Sequence, residues 1–490
     1  MPKSENISPA TPTKDPVSLI IRSAKDVAAA LAHQQGPQKG ALAVVTLALG
    51  GIFMDAYDFS SLAFGITQIK VEFGLTGFMT GLVNAAIFIG AVIGALGGGY
   101  LVDRFGRYRL FMADMVFFVI AAIGCALAPN VETLIFFRII MGIGVGLDLP
   151  VAMAFLAEFS RLRGKGSRTQ RVNSWSPAWY GATGVGYVIV LVLFLTLPAS
   201  QYDHLWRYVV GFGAVPAIVV ILVRRKYLAE SPQWLANQGD LVGSVDILRS
   251  KYNVDAVLAP KQEWDLAVPP KASAKSFAIL FSPRYRVRTL AALAVSVFST
   301  FGYNAVAYGT PLIISTMFHQ GPLVTIVSSM VINFGFGVGG GLLGVALVSG
   351  VGSRKLALIG FTVQTVSLLV LAIIGIPSGV LVIFAVMMIA VFIFFQAMGP
   401  GAQLMSYATL SYPTSLRGVG VGFNQAVQRA FSIVSLVAFP VLATAMATNV
   451  FWVIAMAPLL GTLAIALIKW DPTGQDVDAE DNYEVAPATG

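Results

Sequence analysis

Twelve apolar runs, each near the length that crosses a bilayer, dictate what this chain can fold into. A membrane's hydrocarbon core takes ~20 consecutive apolar residues as a helix, because a helix satisfies its own backbone hydrogen bonds where no water is available. On that measure the runs cover about residues 40–67, 76–102, 108–128, 131–160, 172–197 and 205–224. After a polar interval come 288–317, 322–348, 356–376, 379–408, 416–446 and 449–470. The expected fold is an all-α membrane protein of twelve transmembrane helices. Charged residues make up only 11% of the chain, against ~25% in a soluble domain. That leaves too little polar surface for a water-soluble protein.

An even number of spans puts both termini on one side, and the basic residues say which. Of the 32 Lys and Arg, 28 fall on the side of the termini. Only Lys70 and Arg207 lie opposite, and Arg138 and Arg429 fall within spans. By the positive-inside rule both termini and the long central interval are cytoplasmic. The net charge of +8 is spread over short loops, so it sets orientation and does not indicate a nucleic-acid partner. Cys125 stands alone inside an apolar run, which leaves no disulfide framework. Residues 1–39 are polar, with one amphipathic stretch around Val17–Leu31, and do not resemble a cleaved leader.

The chain is expected to divide into a cytoplasmic tail at 1–39, a six-helix bundle at 40–224, a linker at 225–287, a second bundle at 288–470 and a tail at 471–490. A shift of 246 residues supports two related halves. It lays Gly94, Gly98, Leu101, Val102 and Gly106 onto Gly340, Gly344, Leu347, Val348 and Gly352, and Tyr57-Asp58 onto Tyr303-Asn304. Parallel repeats of this kind build a binding site at their interface, near the bilayer midplane.

Ionisable groups inside the membrane cost several kcal/mol unless they face a partner or a wet cavity. Asp55 and Asp58 share one face of the first span, Arg138 and Asp148 lie in the fourth, and Arg429 in the eleventh. Counting helical rise brings Asp58 and Arg138 to similar depth. Their pairing either fixes packing or acts as a switch that protonation releases. Asp148 follows a glycine run and precedes Pro150, as a capped kink or as a second proton or substrate site. Arg429 has no acid nearby in sequence. It therefore needs a distant carboxylate such as Asp148, or an anionic substrate gripped by its two-pronged donor. Tyr57, Trp179, Tyr180, Tyr303, Asn304, Tyr308, Gln396 and Gln403 are the expected cavity contacts, suited to a partly apolar organic ligand.

The loop Gly97–Arg109, with Asp103, Arg104 and Arg107, resembles the signature G-x-L-x-D-R-x-G-R of the major facilitator superfamily. Further motifs resemble its metabolite:H+ symporters. They are Arg138-x-x-x-Gly142-x-Gly144-x-Gly146, the Glu230–Leu235 stretch (E-S-P-x-W-L) and the Tyr412–Gly418 stretch (Y-P-T-x-x-R-G). Gly146–Pro150 with Ala157-Glu158-Phe159 is similar to the niacin and synaptic-vesicle-glycoprotein-like branch. Asp55-Ala56-Tyr57-Asp58 resembles both aromatic-acid and phosphate symporters, although Asn304 and Gly401 depart from the phosphate pattern. The resemblance implies an inner gate built from Asp103, Arg104, Arg107, Glu158 and Arg417. The matching second-half loop, Ser349–Arg354, has no acid.

The resulting expectation is a bacterial inner-membrane symporter, working as a monomer, that moves an aromatic or heteroaromatic monocarboxylate with protons. Asp55, Asp58, Arg138 and Asp148 would carry the coupling, and Arg429 would hold the anion. Phosphate or a sugar-like polyol is the alternative substrate, and a non-transporting receptor the alternative class. No nucleophile–base set or metal cluster suggests an enzyme, and no cofactor is expected. The partners are the small-molecule substrate, protons and the lipid bilayer.

Overall fold

Helices follow the apolar runs closely. The computed structural model describes residues 19–32, 41–159, 167–227, 229–252, 254–266, 274–475 and 477. The first six passages are α1 (Ala41–Glu72), α2 (Gly77–Phe105), α3 (Arg107–Ala126) and α4 (Val131–Phe159), then α5 (Ser167–Asn173 continued by Trp175–Thr196) and α6 (Leu205–Phe212 continued by Ala214–Tyr227). The second six begin with α7 (Arg286–Ala307), α8 (Pro322–Met330 joined through a π stretch to Val338–Val351) and α9 (Ser353–Ile374). They end with α10 (Val380–Met398 continued by Pro400–Leu410), α11 (Thr414–Met446) and α12 (Val450–Leu467).

Among the described residues, nine helical stretches are long and apolar enough to cross a membrane, and one of them, Leu416–Leu467, holds both α11 and α12. α1 and α4 carry Asp55, Asp58, Arg138 and Asp148 within their length. Below, the near face is the one where α1 begins and α12 ends, and the far face is its opposite.

The 246-residue repeat is visible in the backbone. Gly106 caps α3 with φ 92° and ψ 159°, and Gly352 caps α9 with φ 90° and ψ 151°. Only glycine takes that positive φ without steric cost, so one sharp turn is built twice. Close helix contact repeats as well. A Cβ on Gly94 would press against Gly146 of α4 at 3.0 Å, and one on Gly340 would press against Phe394 of α10 at 3.0 Å. Small residues at these crossings let helices pack at backbone distance in lipid.

The described residues of 1–42 and 229–270 form a second, smaller unit. Strand β1 (Leu19–Ile21) pairs in parallel with β2 (Ala256–Leu258), with Leu19 opposite Ala256. The helices Ala24–Ala32 and Leu241–Tyr252 bury Ile21, Val27, Leu241, Val245 and Leu248 between them. Ser231, in the E-S-P-x-W-L stretch, caps the short helix Pro232–Asn237 by accepting from the Trp234 N–H. Residues assigned from sequence to a tail and a linker thus fold together. Ile21 and Val27 of the amphipathic stretch around Val17–Leu31 belong to their shared core.

Candidate functional site

A cavity of ≈ 40 Å³ lies between the halves, walled by α2, α5, α7, α10 and α11. Two of these helices are interrupted beside it. α5 breaks at Ser174, next to Trp175, and α10 breaks at Gly399-Pro400, between Gln396 and Gly401. Proline lacks an N–H, and irregular backbone at membrane depth is tolerated where it lines a cavity.

The expected contacts Trp179, Tyr180, Tyr303, Asn304, Tyr308, Gln396 and Arg429 all line this cavity, together with Phe88, Trp175, Thr300 and Gln428. Its aromatic wall is continuous. Phe59 stacks on Phe88 at 4.6 Å, Tyr303 meets Tyr308 at 5.5 Å, and Trp179 Nε1 donates to Tyr303 Oη at 2.9 Å. The polar wall consists of neutral amides and hydroxyls. Gln364 Nε2 donates to Gln396 Oε1 (2.6 Å), Gln396 Nε2 to Ser299 Oγ (2.8 Å), and Gln428 Nε2 to Thr300 Oγ1 (2.8 Å). Arg429 is the single charged residue among the lining residues, and no acid lines the cavity with it. Its guanidinium sits 5.4 Å from the Phe59 ring centre and 5.3 Å from Phe88. Cation–π contact steadies the group and leaves its donors available to a ligand.

Two expected contacts lie elsewhere. Tyr57 points away from the cavity and donates to the Val209 carbonyl at 2.6 Å. Gln403 Oε1 accepts from Asn173 Nδ2 at 3.1 Å. It belongs to a layer between the halves on the near side of the cavity, where Trp175 Nε1 also donates to Ala402 O and Ser176 Oγ to Ala397 O. Of the expected gate, Arg417 is held by its own turn, donating to Thr409 O at 3.0 Å and Tyr412 O at 3.3 Å. The side chains of Asp103, Arg104, Arg107 and Glu158 lie outside the described residues.

The acids of the first half are buried but do not reach the cavity wall. Asp58 and Arg138 do come to one depth, but not as an ion pair. Arg138 Nη1 donates to the backbone carbonyl of Asp58 at 3.1 Å, and no described residue donates to the Asp58 carboxyl. That carboxyl turns toward α6, where a Cβ on Gly213 would stand 3.0 Å from it. Asp55 also receives no hydrogen bond, and its electrostatic neighbours are Asp148, Arg429, Asp58 and Arg224.

Asp148 does not pair with Arg429. Arg224 of α6 holds it, with Nη2 2.9 Å from Asp148 Oδ1 and Nη1 2.9 Å from Asp114 Oδ1, all three side chains fully buried. Arg224 also lies 3.6 Å over the Phe111 ring and donates to Phe111 O. By sequence Arg224 falls among the basic residues on the side of the termini, at the end of the sixth apolar run. A long side chain at a helix terminus can reach back along the membrane, and two nearby acids without a sequence partner were the available signal.

The chain matches the family model for sugar (and other) transporters over residues 43–471. The inner membrane metabolite transport protein YdjE of Escherichia coli (strain K12) is 30% identical over 413 residues, covering 80% of this chain and 84% of that protein. The glucose transporter GlcP of Staphylococcus epidermidis is 25% identical over 452 residues, covering 90% and 96%. Among solved structures, the proton:xylose symporter XylE bound to 6-bromo-6-deoxy-D-glucose superposes with a TM-score of 0.73 at 20% identity, covering 91% of this chain and 99% of that one. These relatives are metabolite and sugar transporters. The aromatic-acid and niacin branch suggested by Asp55–Asp58 and Gly146–Pro150 gains no support from them.

Proposed function

Because the chain belongs to the sugar (and other) transporter family of the major facilitator superfamily, we propose that it is a proton-coupled symporter of the inner membrane that imports a small polyhydroxylated acid. The carrying observation is the cavity's composition: one arginine among neutral amides, hydroxyls and aromatic rings. Arg429 would take the carboxylate in a two-pronged grip. Gln396, Gln428 and Asn304 would take hydroxyls, whose loss leaves buried amides unpaired and so gives selectivity. Asn304 Nδ2 and Gln428 Oε1 are buried without partners, and each is a vacant position for such a bond. The transport names of YdjE, GlcP and XylE support the sugar-like part of this reading.

Asp58 and Asp55 would carry the proton, with Arg138 and Asp148 as their charged neighbours. Both carboxyls lack hydrogen-bond donors, so a proton can bind without first breaking an ion pair. Alternating access would come from rocking of the halves about the cavity, with both termini cytoplasmic and a single chain as the working unit.

A heteroaromatic monocarboxylate is the second reading, favoured by the Phe59–Phe88 stack beneath Arg429. Quenching of Trp175 and Trp179 fluorescence separates the two. Gluconate or a uronate should bind, with neutral pentose and nicotinate at least about tenfold weaker, equal to about 1.4 kcal/mol. Tighter binding of nicotinate or of neutral sugar than of every sugar acid would overturn the proposal.

A further inference from the structure

The Asp114–Asp148–Arg224 cluster has no role in substrate contact, since none of the three lines the cavity. Its charges do not balance. Two carboxylates face one guanidinium, and each of the three side chains is 0% exposed. Burying an uncompensated charge costs several kcal/mol, so the cluster needs one more positive charge. Arg224 holds both carboxyl groups at 2.9 Å, so a proton on one of them supplies the missing charge. Asp148 Oδ2 receives no donor from any described residue. Space there is tight, because a Cβ on Gly51 of α1 would overlap Asp148 Oδ2 and stand 2.7 Å from Arg224 Nη2.

Depth gives the cluster a direction. At ~1.5 Å per residue, Asp114 lies ~10 Å from the near end of α3 and Asp148 ~16 Å from that of α4. On the same measure Asp55 and Asp58 stand ~21 and ~25 Å from the start of α1. The acids form a stair through the first half, and Asp55 is the electrostatic neighbour of Asp148. The charged groups facing the stair are Asp55 and Asp58 from α1, Asp114 from α3, Arg138 and Asp148 from α4, Arg224 from α6 and Arg429 from α11.

We propose that Asp114 and Asp148, clamped by Arg224, share one proton and pass protons between Asp55 and the near face, along a route inside the first half that is separate from the substrate cavity. A proton arriving on Asp148 Oδ2 would neutralise that carboxyl, and the resident proton would leave Asp114, so that the cluster keeps one proton throughout. Arg224 is a positioning residue that holds both acids within reach. The relay's use in transport rests on the proton-coupled reading, but the shared proton does not.

Infrared spectra of the full chain in liposomes, with isotope-labelled aspartate, test the shared proton. Among the protonated-carboxyl bands, one is expected to be lost in both Asp114→Asn and Asp148→Asn, while bands from Asp55 and Asp58 stay. Retention of every band in both variants overturns the proposal. Should Asp114→Asn fail to fold, Arg224→Lys keeps the charge without the two-pronged grip. It should shift the band, and an unshifted band overturns the assignment. In transport, Asp114→Asn should lower acid-driven accumulation about tenfold more than substrate exchange, the factor that one pH unit supplies per coupled proton. Equal loss of both would make the cluster structural only. If wild-type protein shows no acid-driven accumulation, the proton-coupled reading fails, and the infrared result alone decides the shared proton.

Discussion

The two halves share a backbone plan and differ in what they bury. The first encloses Asp55, Asp58, Asp114, Arg138, Asp148 and Arg224, while Arg429 is the one charge in the membrane interior of the second among the described residues. Where the first half has Asp58, the second has Asn304 at the same repeat position, on the cavity wall. The second half's polar contacts run through Gln364, Gln396, Ser299, Gln428 and Thr300, which are all neutral. Neutral hydrogen-bonding groups can select a ligand without changing charge, whereas acids without fixed donors can gain and lose protons. On the proposed reading, selection falls mainly to the second half and coupling to the first.

The strongest test of that contrast is Arg224→Leu, which leaves two buried carboxyls facing each other. It should lower stability by about 3–5 kcal/mol, read as the thermal unfolding midpoint in detergent. Adding Asp148→Asn should recover much of the loss, because the surplus negative charge disappears. No recovery would mean that the cluster's value is packing, not charge.

In the second half, Gln364→Leu deprives Gln396 Oε1 of its donor and should cost about 1–3 kcal/mol. Substrate affinity should fall while the pH dependence of uptake stays as in wild type. A changed pH profile would blur the assignment of roles between the halves.

The smallest effect is expected outside the membrane. Glu72, beyond the apolar run of α1, accepts from Arg207 Nη2 at 2.6 Å and from Trp206 Nε1 at 2.7 Å. Partial burial pushes its carboxyl upward, but those two bonds and the nearby positive charge outweigh it and hold the group below its ordinary value. Its contribution is therefore present above the unfolded carboxyl value of about 4.3, and it fades as pH falls through the lower folded value. Glu72→Gln should cost no more than about 1 kcal/mol at neutral pH and lose that acid dependence of melting.

Much of this architecture is legible in the sequence, because membrane helices obey a simple rule of length and apolarity. The repeat was legible for a different reason. Gly106 and Gly352 must be glycine for their backbone angle, so the 246-residue offset survives in residue type. Cavity residues on α5, α7, α10 and α11 were legible as polar or aromatic groups in otherwise aliphatic runs. What escaped was side-chain direction. Tyr57 and Asp58 share the cavity's depth but turn toward the 209–213 stretch of α6. Arg224 reaches inward from a helix end, which residue counting cannot see. The folding of residues 19–32 with 229–266 also escaped, since strands of three residues leave almost no pattern.

Substrate movement in liposomes carrying Asp58→Asn tests the division of labour most directly. With an inward acid gradient, the variant should fail to concentrate a sugar acid, yet still exchange labelled for unlabelled substrate across the membrane. Gradient-driven accumulation at the wild-type level by Asp58→Asn would contradict the account.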